Sequence, residues 1–258
     1  MFEQERMIGR IQRRVLAEPS VRVCFLSGSY GRRTEDAFSD IDVALVFRDE
    51  SGRNIAWRRR EAFVNDVMPY VPVKAFDGDH IRPYFYISLF SNGSKVDWRY
   101  ETEDTLKPNP WDANIRILKD NNGWGDTFQN ASACLAFPQP RITVEELSAL
   151  DNQFWVMFWD ILRLLKRGDT DKPFAIYLEL LYATLPPLLR VLPAEDTTRQ
   201  GLLVAGYGRD AQKNRTQMVS LLDAYLAARS AIISRHNLAF FPNQGFESEI
   251  KRLVQKLI

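Results

Sequence analysis

Apolar residues recur along this chain with two different periods, and the change of period divides it. Up to about residue 135, short apolar runs sit between turns and amphipathic helices; beyond residue 140 only helical spacing remains. Met7, Ile8, Ile11 and Val15 fall three to four residues apart and predict an opening helix over Phe2 to Leu16, stopped by Pro19-Ser20. Val21 to Leu26 reads as a buried strand. Ile41 to Phe47 reads as a second, with Ile41, Val43, Leu45 and Phe47 on one face and Asp40, Asp42 and Ala44 on the other. Asn54 to Met68 predicts a helix whose inner side is Ile55, Phe63, Val64, Val67 and Met68. Tyr84 to Phe90 and Lys95 to Tyr100 flank Ser91-Asn92-Gly93-Ser94, and Asn-Gly between such runs is a hairpin signal because both residues tolerate positive φ. Ile115 to Leu118 predicts one more short strand before Asn121-Asn122-Gly123.

Phe137-Pro138-Gln139-Pro140 has the composition of a linker. Thr143 and Glu146 then form a capping-box pattern at the head of a helix carrying Leu147, Leu150, Phe154, Met157, Ile161 and Leu165, which Gly168 closes. Pro173 opens a second helix to about Leu192, with a kink expected at Pro186-Pro187; Gln217 to Arg235 and Glu247 to Leu257 supply two more. The pattern predicts an α+β chain of two domains, 1–137 with strands and helices and 141–258 all helical.

Composition narrows the function classes. The 258 residues are 45% hydrophobic and 26% charged with a net charge of +1, which lacks the basic excess of a protein gripping a long nucleic acid. Two cysteines, Cys24 and Cys134, make no disulfide framework, and two histidines make a His/Cys zinc site unexpected. The charged start has no signal-peptide core. No stretch approaches the ~18 apolar residues of a membrane span, and the expected location is the cytoplasm.

Chemistry concentrates in Leu26-Ser-Gly-Ser-Tyr-Gly-Arg32 and Ser39-Asp-Ile-Asp42. Gly28-Ser29 follows a strand, where glycine lets the backbone approach a phosphate and Ser29 offers an N–H and a hydroxyl. Asp40 and Asp42, two apart on a strand, share a face and suit one hard cation such as magnesium. In Lys95-Val-Asp-Trp-Arg-Tyr100, alternation puts Lys95, Asp97 and Arg99 together. If this hairpin pairs beside the Asp40/Asp42 strand, Asp97 completes a triad of acids that would repel one another without a divalent ion. Arg32 and Arg33 follow the glycine turn and are candidates to reach a triphosphate, Arg32 the one carried forward.

With Gly28-Ser29, the step to Asp40-Ile41-Asp42 and Asp97 in a later strand, the chain resembles the polymerase-beta-like nucleotidyltransferase superfamily. That resemblance implies a mixed sheet backed by helices. It also implies two Mg2+ ions on Asp40 and Asp42, with Asp97 binding the catalytic ion or helping to deprotonate the acceptor. Asn152-Gln-Phe-Trp155 and Leu164-Leu-Lys-Arg-Gly168 are similar to the bacterial aminoglycoside (streptomycin-type) and lincosamide nucleotidyltransferases, which join a catalytic domain to a helical one that helps hold the antibiotic. The resemblance implies transfer of a nucleoside monophosphate, AMP from ATP before that of another nucleoside triphosphate, to a hydroxyl of a small acceptor; a monomer or homodimer is expected. Alternatives are modification of a protein or RNA, and a non-catalytic nucleotide-binding relative. Phe154, Trp155, Phe158 and Trp159 are expected mostly in the core, with one or two lining an acceptor pocket. Asp151, Asp160 and Glu179 are either solvated helix residues or partners of a cationic acceptor.

Overall fold

The structure, a computed structural model, describes residues 3–77, 81–203 and 206–256. Phe2 and Leu257, the outer ends of two expected helices, lie outside the described residues. The chain divides into two compact units, Met1–Pro138 and Gln139–Ile258, within the expected linker.

The first unit is built on one mixed sheet. Its strands are β1 (Val21–Leu26), β2 (Ile41–Phe47), β3 (Tyr70–Asp77), β4 (Phe85–Phe90), β5 (Lys95–Thr102) and β6 (Arg116–Asp120), in the order β3-β4-β5-β2-β1-β6. All neighbours are antiparallel except β2 and β5, which run parallel from Ile41↔Val96 to Phe47↔Thr102. The predicted hairpin forms, closing at Gly93 (φ 85°) with Phe90 N–H donating to Ser94 O. Strand β3, which the sequence reading left out, pairs outside β4.

Alternation sorts the two faces. Ile41, Val43, Leu45 and Phe47 of β2 join Val96, Trp98 and Tyr100 of β5 in one core. Helix α1 (Glu3–Leu16) and helices α3 (Glu50–Arg58) and α4 (Arg60–Val67) cover it, contributing Met7, Ile8, Ile11, Val15, Phe63 and Val64. The buried Trp98 indole donates to Ser88 Oγ at 2.7 Å, so its one polar atom is satisfied. On the other face Val23, Phe25, Ala44 and Val46 pack against Leu106, Ile115 and Phe128 of α5 (Trp124–Ala133).

The single helix expected over Asn54 to Met68 is two. It starts earlier, where Asp49 Oδ1 accepts from Gly52 N–H, and breaks at Arg59 (φ −100°, ψ 8°). Ile55, expected on the inner side, is 54% exposed.

In the second unit the Thr143–Glu146 capping box is present and opens α6 (Val144–Lys166), with Gly168 at φ 80° beyond its end. The expected kink takes a specific form. Between α7 (Asp171–Glu179) and α8 (Leu185–Val191) the chain winds as a π turn over Leu180–Thr184, just ahead of two prolines that lack the N–H an α-helix would use. Helix α9 (Thr197–Leu203) was not anticipated. Helix α10 (Ala211–His236) begins six residues before the expected Gln217 because Asp210 accepts from Gln212 and Lys213 N–H. Helix α11 spans Gln244–Gln255. Phe154 and Phe158 of α6 are fully buried, as expected of core residues, and Phe154 stacks on Tyr225 of α10. The stretch Asp171–Val191, 21 residues with a mean hydropathy of 1.3 over its most apolar window, is long and apolar enough to cross a membrane by length and composition. That corrects the expectation that no segment approaches such a length. In the structure Tyr177, Leu180, Leu185, Leu188 and Val191 of this stretch pack into the helical core.

Arg229 of α10 is the polar centre of this unit. It is 4% exposed and donates to Asp151 Oδ1 (2.7 Å) and to both Glu247 oxygens (2.7 and 3.0 Å), while Tyr225 Oη also donates to Asp151 Oδ1. Asp151, a candidate acceptor contact by sequence, is committed to this network. Arg229→Leu strands two buried carboxylates and is expected to cost about 3–5 kcal/mol of stability, read as a lower urea midpoint with an unchanged slope.

Candidate active site

Strand β1 delivers the chain into a short helix, α2 (Gly28–Arg32), rather than an open turn. Gly28 takes φ 61°, a conformation other residues resist, and a Cβ there would collide with Asp42 Oδ2. Glycine is therefore what allows the turn and the acid to lie against each other. Ser27 N–H donates to Asp42 O at 3.0 Å, which fixes the turn to the head of β2.

The register of the parallel pair decides the rest. Asp42 stands directly beside Asp97, and Asp40 comes one residue before β2 begins. Three carboxylates thus gather where the two central strands begin, beside Gly28. Lys95 lies among them. Its Nζ is 2.9 Å from Asp40 Oδ2, 2.8 Å from Asp97 Oδ2 and 2.7 Å from Asp97 Oδ1. Of the two Asp97 contacts only that to Oδ2 has hydrogen-bond geometry, so Oδ1 is buried without a hydrogen bond.

Burial raises the Asp42 pKa above the usual carboxylate range, and the neighbouring charges of Asp40 and Asp97 push it further; Arg99 and Lys95 only partly offset them. Burial also raises Asp97, against the opposing pull of Lys95. Burial alone would lower Lys95, yet its hydrogen bonds to Asp97 and Asp40 outweigh that and raise it.

Among the described residues no group of three or more His, Cys, Asp and Glu side chains is arranged to hold a metal ion as it stands; Lys95 sits between the acids instead. The chemistry of the donor set nonetheless fits magnesium: Asp40 and Asp42 offer carboxylate oxygens on one face, and the three acids carry a net negative charge that one lysine does not balance.

Two supports were invisible in the sequence pattern. Arg99 pairs in bidentate fashion with Asp112 (3.1 and 3.0 Å) and donates to Ser27 Oγ at 3.3 Å, tying β5 to the residue before the glycine turn. Alternation had put Arg99 on the acid face; nothing marked Asp112, which is 2% exposed in a 3-10 turn over Pro110–Asp112. Gln4 of α1 donates to Ala37 O and Ser39 O and so pins the loop that leads to Asp40. A cavity of about 600 Å³ opens over the site, lined by Gly28, Ser29, Arg32, Ser39, Asp40, Asp42 and Lys95 among others. Arg32 is on its wall; Arg33 is not among its lining residues and instead closes α2 in a left-handed conformation.

The helical unit has a cavity of its own, about 620 Å³, between α6 and α11. Trp155, Val156, Trp159, Phe246 and Ile250 line it, with Asp151, Asp160 and Glu247. Glu179 is not part of it and is exposed.

Comparison with known proteins bears on this geometry. No curated protein matches the chain in sequence. Among solved structures, an aminoglycoside 6-adenyltransferase from Bacillus subtilis aligns at 13% identity and a TM-score of 0.38, covering 100% of this chain and 99% of its own. A nucleotidyltransferase-like protein from Exiguobacterium sibiricum 255-15 aligns at 14% identity and a TM-score of 0.33, covering 90% and 76%. The family model for streptomycin adenylyltransferase matches residues 1–181, which takes in the whole sheet, the glycine turn and all three acids. On that match the chain belongs to the streptomycin adenylyltransferase family and is a nucleotidyltransferase.

Proposed function

We propose that the protein is a magnesium-dependent adenylyltransferase that moves AMP from ATP to a hydroxyl of a small, amine-bearing acceptor of the aminoglycoside or lincosamide type. The observation that carries this reading is the register of β2 and β5, which sets Asp42 beside Asp97 next to a turn that only glycine permits.

In this reading the backbone N–H groups and hydroxyl at Gly28-Ser29 hold the terminal phosphates, and Arg32 on the cavity wall adds a positive charge to them. Asp40 and Asp42 are the residues that would hold magnesium beside the triphosphate. When bound, the ion supplies positive charge against the triphosphate oxygens and eases loss of pyrophosphate. Asp97, set beside Asp42 by the strand register, accepts the proton of the acceptor hydroxyl. The freed oxygen attacks the α-phosphorus in line, the bond from that phosphorus to the bridging oxygen breaks, and pyrophosphate leaves. Arg99 and Asp112 keep Ser27, and with it the turn, in register with the acids. The work is mostly positioning and electrostatics.

The helical unit suits the acceptor. Its cavity joins aromatic side chains to the half-exposed carboxylate of Asp160, a combination that attracts an organic ammonium group. With a net charge of +1, the chain has no general surplus of positive charge for holding an RNA acceptor.

Asp42→Asn should lower adenylyl transfer by about 10²–10³-fold or more without lowering the melting temperature, since ionised Asp42 is disfavoured by burial and by its two acidic neighbours. An active Asp42→Asn enzyme would refute the assignment. Pyrophosphate release, screened over antibiotics with each triphosphate, should require ATP and a divalent ion, stop on adding a chelator and return with Mg2+. Trp159→Ala should raise the acceptor KM about ten-fold and leave the KM for ATP unchanged; a change confined to ATP would move the acceptor elsewhere.

A further inference from the structure

The acid cluster contains a cation of its own. Lys95 sits two residues before Asp97 on the same face of β5, and its backbone is held by pairing to Leu89 on one side while Val96 pairs with Ile41 on the other. From that fixed base the side chain places Nζ between the first and third acids, within 2.9 Å of both Asp40 and Asp97. Lys95 makes no hydrogen bond to Asp42, which faces Gly28. The cluster is therefore divided. Asp97 and one oxygen of Asp40 are matched by an ammonium, whereas Asp42 and the other Asp40 oxygen are not.

A divalent ion shared by Asp40 and Asp97 would need the oxygens that Lys95 already engages, and it would stand within a few ångströms of a like charge in a partly buried site, where repulsion is poorly screened. An ion on Asp42 and the other Asp40 oxygen would need none of the oxygens that Lys95 engages, and it would adjoin the cavity wall formed by Gly28 and Ser29.

We propose that Lys95 takes the place of the second metal ion, so that the complex with triphosphate holds one divalent ion, on Asp40 and Asp42, and Lys95 positions and neutralises Asp40 and Asp97. This replaces the two-ion expectation drawn from resemblance, and it rests on the adenylyltransferase reading above. Lys95 acts through the acids it holds and is a positioning residue, so ion stoichiometry is the decisive readout.

The test uses the full chain with Mn2+ and an α,β-methylene ATP analogue that cannot be transferred. Bound Mn2+ is counted by electron paramagnetic resonance against bound nucleotide. The wild type and Lys95→Arg should bind one ion per bound nucleotide, and Lys95→Met should bind two. Two ions in the wild type would show that Lys95 is displaced and would overturn the proposal. One ion in Lys95→Met would overturn it as well, because the lysine would then exclude nothing. Should Lys95→Met fail to fold, the wild-type count still decides between one ion and two. Failure of the wild type to bind the analogue at all, with any ion, would instead remove the adenylyltransferase reading, a result distinct from a wrong count.

Discussion

The parallel pairing of β2 with β5 is the constraint on which the site depends. Side chains on adjacent parallel strands stand beside one another at fixed register, and here that register is Asp42↔Asp97. A slip of one residue would bring Val96 or Trp98 beside Asp42 and turn the aromatic core of β5 outward. The buried residues of β5, Val96, Trp98, Tyr100 and Thr102, hold the strand by their packing, so the hydrophobic core fixes the acids. Like charges held so close work against folding, and burial raises Asp42 and Asp97 together. Lys95 and Arg99 offset part of that cost from the same face of β5.

Much of this was legible in the sequence because period-two alternation leaves little freedom once a strand is assigned. Asp40, Asp42 and Asp97 could be put on faces from spacing alone, and the Asn-Gly turn fixed the hairpin. The parallel direction of β2 and β5 was not legible, since it depends on how α3, α4, β3 and β4 return the chain across the sheet. The break at Arg59 lay within an uninterrupted polar and apolar pattern with no glycine or proline to announce it. Strand β3 was hidden by Pro72 and by its place at the sheet's edge, where proline is tolerated. Asp112 carried no signal because its role is defined by Arg99, thirteen residues away in sequence and apart in pattern.

The helical unit shows the same division between pattern and partner. Its capping box and glycine stop were readable as local chemistry. The π turn was half readable: the prolines predicted a disturbance but not its form, in which Leu180 and Leu185 both pack into the core. Asp151 looked like a free acid on a helix and is instead bound by Arg229 and Tyr225 across 74 or more residues of sequence. Asp160, paired with its own helix neighbour Arg163, lines the cavity of Trp155 and Trp159.

Everything proposed for the site requires that a metal and a triphosphate meet where β2 begins, at Asp40 and Asp42. Crystals grown with Mn2+ and a non-transferable ATP analogue, measured at the manganese absorption edge, locate the ion without reference to activity. The account predicts an anomalous peak within coordination range of Asp40 and Asp42, with the terminal phosphates against Gly28 and Ser29. A nucleotide bound elsewhere, or manganese away from both aspartates, would contradict it.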